Sequence, residues 1–201
     1  LYSLLAQKRL SGIYQKKAKE YLSKKMSDNA LLSYTKAYEL DKTSIEVIRG
    51  IVDSYSSLKK INEAINLFTS EYDRDRNNAY LNYALGYAYS VRGTSGVKPE
   101  KGDMTQAARL TGRSIEIDSN IKYAYLTLSY CYEALHHIGL EESEEGKNRN
   151  AFLKALDFVI GPLKFILESV NIIEDSAKDY TDLSISLLGK GIGLCDKEAD
   201  R

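Results

Sequence analysis

The chain has 201 residues, with Lys+Arg at 28 and Asp+Glu at 28, so its formal net charge is zero. That balance excludes the electrostatic footprint of a nucleic-acid binder or of a protein held on an anionic membrane. No run of about 18 apolar residues occurs, so membrane insertion as a helix is excluded as well.

Cys131 and Cys195 lie in apolar stretches without a CxxC pair, which reads as two buried free thiols and not a disulfide framework. The thiols suit a reducing compartment, and an exported protein poor in cysteine would look the same. The sequence starts at Leu1 and not Met, so it is expected to be part of a longer chain from which a signal peptide or second domain is missing. The compartment, cytoplasmic or exported, stays open.

Only Pro99 and Pro162 interrupt the chain, so helices can run almost throughout. Tyr14, Ala18 and Tyr21 at i, i+4, i+7 predict a first helix over 11–25. Lys16, Lys17, Lys19, Lys24 and Lys25 spread around it as a solvated face. Ala30, Tyr34 and Ala37 predict a second helix over 27–40. Ile48, Ile51, Val52 and Tyr55 give a third over 45–58, and Ala64 and Phe68 a fourth over 61–74. Leu85, Gly86 and Tyr89 give a fifth over 79–92, with Asn82 where the other segments carry a large residue. Glycine, proline and charge over 92–103 predict an exposed loop. A sixth helix follows over 104–117 around Ala107, and a seventh over 122–138 with Tyr125, Leu128, Ser129 and Tyr132, running on toward an acidic loop over 141–148. Residues 151–160 read as a helix carrying Ala151, Leu153, Ala155 and Phe158. Pro162 precedes the stripe Leu163, Ile166, Leu167, Val170, Ile173, and a last helix is expected over 179–195.

The segments recur. Tyr21 to Tyr55 is 34 residues, Tyr55 to Tyr89 again 34, and Tyr89 to Tyr132 is 43. This spacing resembles the tetratricopeptide repeat, W-x2-L-G-x2-Y followed by A-x3-F, A and P. Leu85-Gly86-x-x-Tyr89 matches its first half best and Ala30-x3-Tyr34-x2-Ala37 its second. The resemblance covers about 11–160 and has departures: no Trp, Lys42, Arg76 and Ser119 where proline is usual, and Glu71 where alanine is usual. It implies an all-α fold, a right-handed α-solenoid of about four antiparallel helix pairs (11–44, 45–78, 79–121, 122–161). On that reading 1–161 is the repeat domain. Residues 162–201 form C-terminal capping helices or a degenerate fifth repeat. Small residues, Ala18, Gly86 and Ser129 against Ala30, Ala64 and Ala107, should sit where paired helices cross.

No catalytic chemistry is legible. The run 189–193 has neither phosphate-loop spacing nor a preceding strand. His136 and His137 diverge by about 100° on a helix. Glu133 adds only one more ligand beside them, too few for a metal site. No enzyme, cofactor or metal is expected. Tyr80, Tyr83 and Tyr87 form a second stripe beside the repeat core, repeated one unit later by Tyr123, Leu126 and Tyr130. The resemblance implies that this face lines a concave groove for a partner peptide or protein segment, continued by Gln15, Lys19, Glu46, Arg49 and Asp53. The carboxylate-clamp slots of some family members hold Gln15, Lys19, Gly50, Tyr80 and Ala84 here, so a clamp is not expected. The expected function is a protein-interaction scaffold. Alternatives are a self-assembling subunit, a homo-oligomer whose groove is filled by a second copy or by its own C-terminal helices, a binder of a small hydrophobic ligand or signal peptide, and the non-catalytic arm of a larger assembly.

Overall fold

A computed structural model of the protein describes residues 2–144, with side chains described over 3–139. They form seven helices: α1 Tyr2–Ser23, α2 Ser27–Leu40, α3 Ile45–Ser57, α4 Ile61–Tyr72, α5 Ala79–Gly93, α6 Lys101–Ile117 and α7 Lys122–Glu144. No strand occurs among the described residues. The fold is all-α, built of antiparallel helix hairpins at the spacing of the tyrosine repeat. The expected helices over 151–160 and 179–195, the stripe after Pro162, Cys195 and the glycine-rich run 189–193 lie outside the described residues.

Caps set where the hairpins start. Ser44 accepts from Val47 N at the head of α3. Asn78 Oδ1 accepts from Tyr80 N and Leu81 N at the head of α5 (3.1 and 3.2 Å). Glu100 accepts from Gly102 N and Asp103 N at the head of α6 (3.1 and 2.6 Å). Each satisfies backbone donors that the first helical turn leaves open. Two hairpin turns are copies of one another. Lys25 and Lys59 take φ of 58° and 59°. Met26 N donates to Tyr21 O and Lys60 N to Tyr55 O across them (2.9 and 2.8 Å), which closes a Schellman turn 34 residues apart.

The chain divides between Arg76 and Asn77 into two compact units. In the first, α1 packs on α2, α2 on α3 and α3 on α4, and α1 also touches α3. Ala18 and Ala30 have no exposed surface, as small residues at a helix crossing require. Ser11 Oγ donates to Ala37 O at 2.9 Å. A Cβ at Gly50 would fall inside the Tyr34 ring, so α2 and α3 meet ring against glycine. Tyr38 sets its edge on Phe68, with centroids 5.8 Å apart, and donates to Glu71 at 3.1 Å.

In the second unit α5 packs on α6 and α6 on α7, and α5 also touches α7. A Cβ at Gly86 would fall on Thr111 Oγ1 and lie 3.0 Å from Thr111 N and 3.2 Å from Ala107 O. The expected crossing contact is therefore real, and α5 approaches α6 closely only because residue 86 is glycine. Ser114 Oγ donates to Ala79 O at 2.8 Å on the same seam.

Three boundaries differ from the sequence reading. α1 begins at Tyr2, two and a half turns before residue 11. The loop of the third hairpin covers 94–100 and not 92–103, because Glu100 caps α6 and Gly93 still belongs to α5. α7 continues to Glu144, so part of the acidic stretch is helical.

Candidate interaction surface

Ten of the fifteen residues of α5 are buried, a helix apolar nearly all round and packed on more than one side. Gly86 serves the seam with α6, and Leu85 and Ala88 are buried beside it. Tyr83 and Tyr87 stack with centroids 6.0 Å apart and ring planes 4° from parallel. Tyr80 and Tyr87 are half-buried, and Tyr83 has no exposed surface at all. The solvent-facing stripe read from the sequence thus has a buried centre. Tyr83 supports Tyr87 ring on ring and is not itself a surface residue.

On α7, Tyr123 and Leu126 are half-buried and Tyr130 is 47% exposed. The Lys122 ammonium sits 5.8 Å from the Tyr123 ring centroid. With α5 and α7 in contact, the second unit gathers Tyr80, Tyr87, Tyr123, Leu126 and Tyr130 on its first helices. Of the three stripe residues on α7, Tyr130 is the most exposed.

The charged half of the expected groove belongs to the first unit. Lys19 is exposed on α1, and Arg49 and Asp53, one turn apart on α3, are half-buried. Burial raises the Tyr34 hydroxyl pKa, and the charge of Asp53 raises it further, which places that carboxylate near the phenol. Of the carboxylate-clamp positions, Gly50 lies against the Tyr34 ring and Ala84 is fully buried.

Several contacts have no counterpart in the sequence reading. Lys42 and Glu71, both departures from the repeat pattern, pair with each other at 2.9 Å, and Tyr38 joins them through the same carboxylate. Arg76, a third departure, pairs with Asp73 at 3.0 Å. The carbonyl of Ser119, the fourth, accepts from Tyr125 at 3.1 Å. Arg92 clasps Asp103 with two parallel bonds of 2.7 and 2.6 Å across the loop 94–100, and lies 5.0 Å from the Tyr89 ring centroid. Leu4, Leu5, Leu10 and Ile13 on α1 are between 42% and 64% exposed; a first helix that starts at residue 11, as the sequence pattern has it, passes over most of them.

The His136 and His137 rings are 6.0 Å apart and tilted by 58°. Among the described residues no group of three or more His, Cys, Asp or Glu side chains could hold a metal ion, and no helix is long and apolar enough to cross a membrane. Complete burial pushes the Cys131 thiol up to about 12, so it stays protonated and unreactive.

No protein-family profile matches the chain, and no curated protein sequence does. Solved structures similar to it include a tetratricopeptide-repeat protein of Thermus thermophilus, TTC0263, at 15% identity and TM-score 0.45, covering 92% of this chain and 98% of that one. The crystal structure of MamA is similar at 17% identity and TM-score 0.38, over 95% and 94% of the two chains. YrrB, described as a tetratricopeptide protein with an unusual peptide-binding site, is similar at 19% identity and TM-score 0.36, over 79% and 89%.

Proposed function

We propose that the chain is a non-catalytic interaction scaffold that holds a peptide or protein segment against the tyrosine face of α5 and α7. On this reading residues 1–161 form the repeat array and 162–201 its cap, and no cofactor or nucleic acid takes part. The observation that carries it is Tyr130, a large aromatic residue 47% exposed, in line with half-buried Tyr123 and Leu126 on one face of α7. Tyrosine offers an apolar ring with a polar tip and little entropy to lose, which is why it anchors interfaces. Tyr80 and Tyr87 extend the face from α5, and Tyr83 stiffens it from within. Within the first unit, taken by itself, Lys19, Arg49 and Asp53 offer charge for a polar ligand group.

The test is selection of a displayed peptide library on the full chain, followed by affinity measurement against Leu126→Ser and Tyr130→Ser. Neither position is deeply buried, so helix content should hold while binding weakens by about 2 kcal/mol at each anchor. Selected peptides that bind the variants as tightly as the parent would end the proposal.

A further inference from the structure

Among the described residues, the outer face of α1 is the one first-helix face that remains uncovered where its counterparts are buried. One repeat after Ile13 stands Val47, then Leu81, then, past the insertion, Ala124; these are 0%, 6% and 0% exposed, whereas Ile13 is 64% exposed. In the first unit α2 packs on α3, and in the second α6 packs on α7. The position that Ile13 occupies is thus the one where a first helix receives the second helix of the hairpin before it.

The apolar character continues toward the start of α1. Leu5 is 51% exposed and Leu10 42%. At 100° per residue Leu5, Lys16, Arg9, Ile13, Lys17 and Leu10 fall, in that order, within an arc of roughly 140°. That arc lies opposite Ser11 and Ala18, the buried residues of α1. The face also has an end. Lys17 and Glu20 stand where later repeats have buried Ile51, Leu85 and Leu128, and Ser54, Ala88 and Cys131. Apolar cover is therefore called for over the first three turns and not beyond.

Charge decides the kind of cover. α1 carries Lys8, Arg9, Lys16, Lys17 and Lys19 against Glu20 alone. Arg9, Lys16 and Lys17 lie within the apolar arc and are exposed, and among the described residues no carboxylate pairs with them. From this geometry we propose that α1 is a second docking surface, separate from the tyrosine face, and that its occupant is an acidic amphipathic helix of a partner protein. The helix lays its apolar stripe over Leu5, Leu10 and Ile13. Its flanking carboxylates meet Arg9, Lys16 and Lys17. A second copy of this chain fits less well, since pairing α1 with another α1 sets like charges together.

The probes are two synthetic amphipathic peptides about three heptads long, with Leu at both core positions and either Glu or Lys on both flanks. The full chain should bind the Glu peptide, more weakly as salt rises, and discriminate against the Lys peptide. Leu10→Ser with Ile13→Ser should weaken binding about tenfold or more. Arg9→Glu with Lys16→Glu, exposed changes that leave folding intact, should reverse the preference toward the Lys peptide. Equal binding of both peptides, binding of neither, or binding indifferent to these substitutions overturns the proposal. So does a concentration-dependent mass that Ile13→Ser abolishes, which assigns the face to self-association. Ile13-dependent sedimentation with phosphatidylglycerol vesicles, without binding to the Glu peptide, assigns it to lipid and overturns the proposal equally.

Discussion

Lys25 and Lys59 hold left-handed backbone, φ 58° and 59°, at the same point of two successive hairpins. A residue with a Cβ adopts this conformation at a cost of about 1–2 kcal/mol, and glycine does not. Lys25→Gly and Lys59→Gly should each stabilise the fold by about 0.5–1 kcal/mol, the strain relieved less the extra freedom glycine brings to the unfolded chain. A rise in thermal midpoint for each, additive in the double variant, is the expected result; a fall would mean that the lysine side chains contribute more than the turn costs. Gly86 behaves in the opposite way. Alanine in mid-helix ordinarily gains about 1 kcal/mol over glycine. Here its Cβ would fall on Thr111 Oγ1. Gly86→Ala is expected to lower stability by about 1–3 kcal/mol, read as a shift of the denaturant midpoint. An unchanged or raised midpoint would show that α6 gives way. Gly86 was visible in the sequence through the Leu-Gly-x-x-Tyr match; the two lysines were not, since nothing about lysine announces left-handed backbone.

Among the elements, sequence located the hairpins through their small residues and tyrosines, because close crossing and wedge filling demand those sizes. It failed where other forces set the ends. The first turns of α1 are exposed, and although Tyr2 and Ala6 stand at i and i+4, Arg9 takes the tyrosine's place at i+7, so residues 2–10 lack the full signature. α6 starts at Lys101 because the Glu100 carboxylate caps it, a role usually given to shorter side chains. The tyrosine stripe was legible as a stripe, but the burial of Tyr83 was not, since period alone cannot tell how many neighbours a helix will have. The departures from the repeat pattern were legible only as departures; that Lys42 answers Glu71 appears only in three dimensions. Burial of α7 also makes a prediction about pH. The Cys131 thiol rises from its ordinary 9.0 to about 12 by desolvation. Burial also raises Tyr34, Tyr38 and Tyr125 from 10.0, with Asp53, Glu71 and Asp118 respectively adding to the shift. All four shifts are upward, so the neutral forms are the folded ones. The stability they contribute is whole below pH 9 and is lost as pH climbs toward about 12. Helix content should therefore hold through neutral pH and fall on the alkaline side. In a Cys195→Ser background, thiolate absorbance should appear only together with that fall. Thiolate forming near pH 9 in a chain that keeps its helices would contradict the burial of Cys131.

At the scale of the molecule, the two compact units each own a core. Phe68 is the largest fully buried side chain of the first, and Tyr83 and Tyr132 are those of the second. In arrays of stacked hairpins, stability is close to a sum of local terms, each felt mainly by nearest neighbours. Truncating Phe68 removes the fully buried ring that Tyr38 edges against. Phe68→Ala is thus expected to cost about 3–5 kcal/mol of local stability. Native-state hydrogen exchange resolves where that loss falls. Amides of α2, α3 and α4 should lose most of their protection, while those of α6 and α7 keep theirs to within about 1 kcal/mol. The reciprocal variant, Leu128→Ala in α7, should leave α2 to α4 protected and open α6 and α7. Equal loss in both units from either substitution would mean that residues 2–144 unfold as one cooperative block, and the division between Arg76 and Asn77 would then have geometric but not energetic meaning. A loss confined to the substituted unit makes the boundary a place where a bound segment can stabilise one half of the chain alone. Ligand binding at the tyrosine face would then raise protection in α5 to α7 first, and binding at α1 would raise it in α1 and α2.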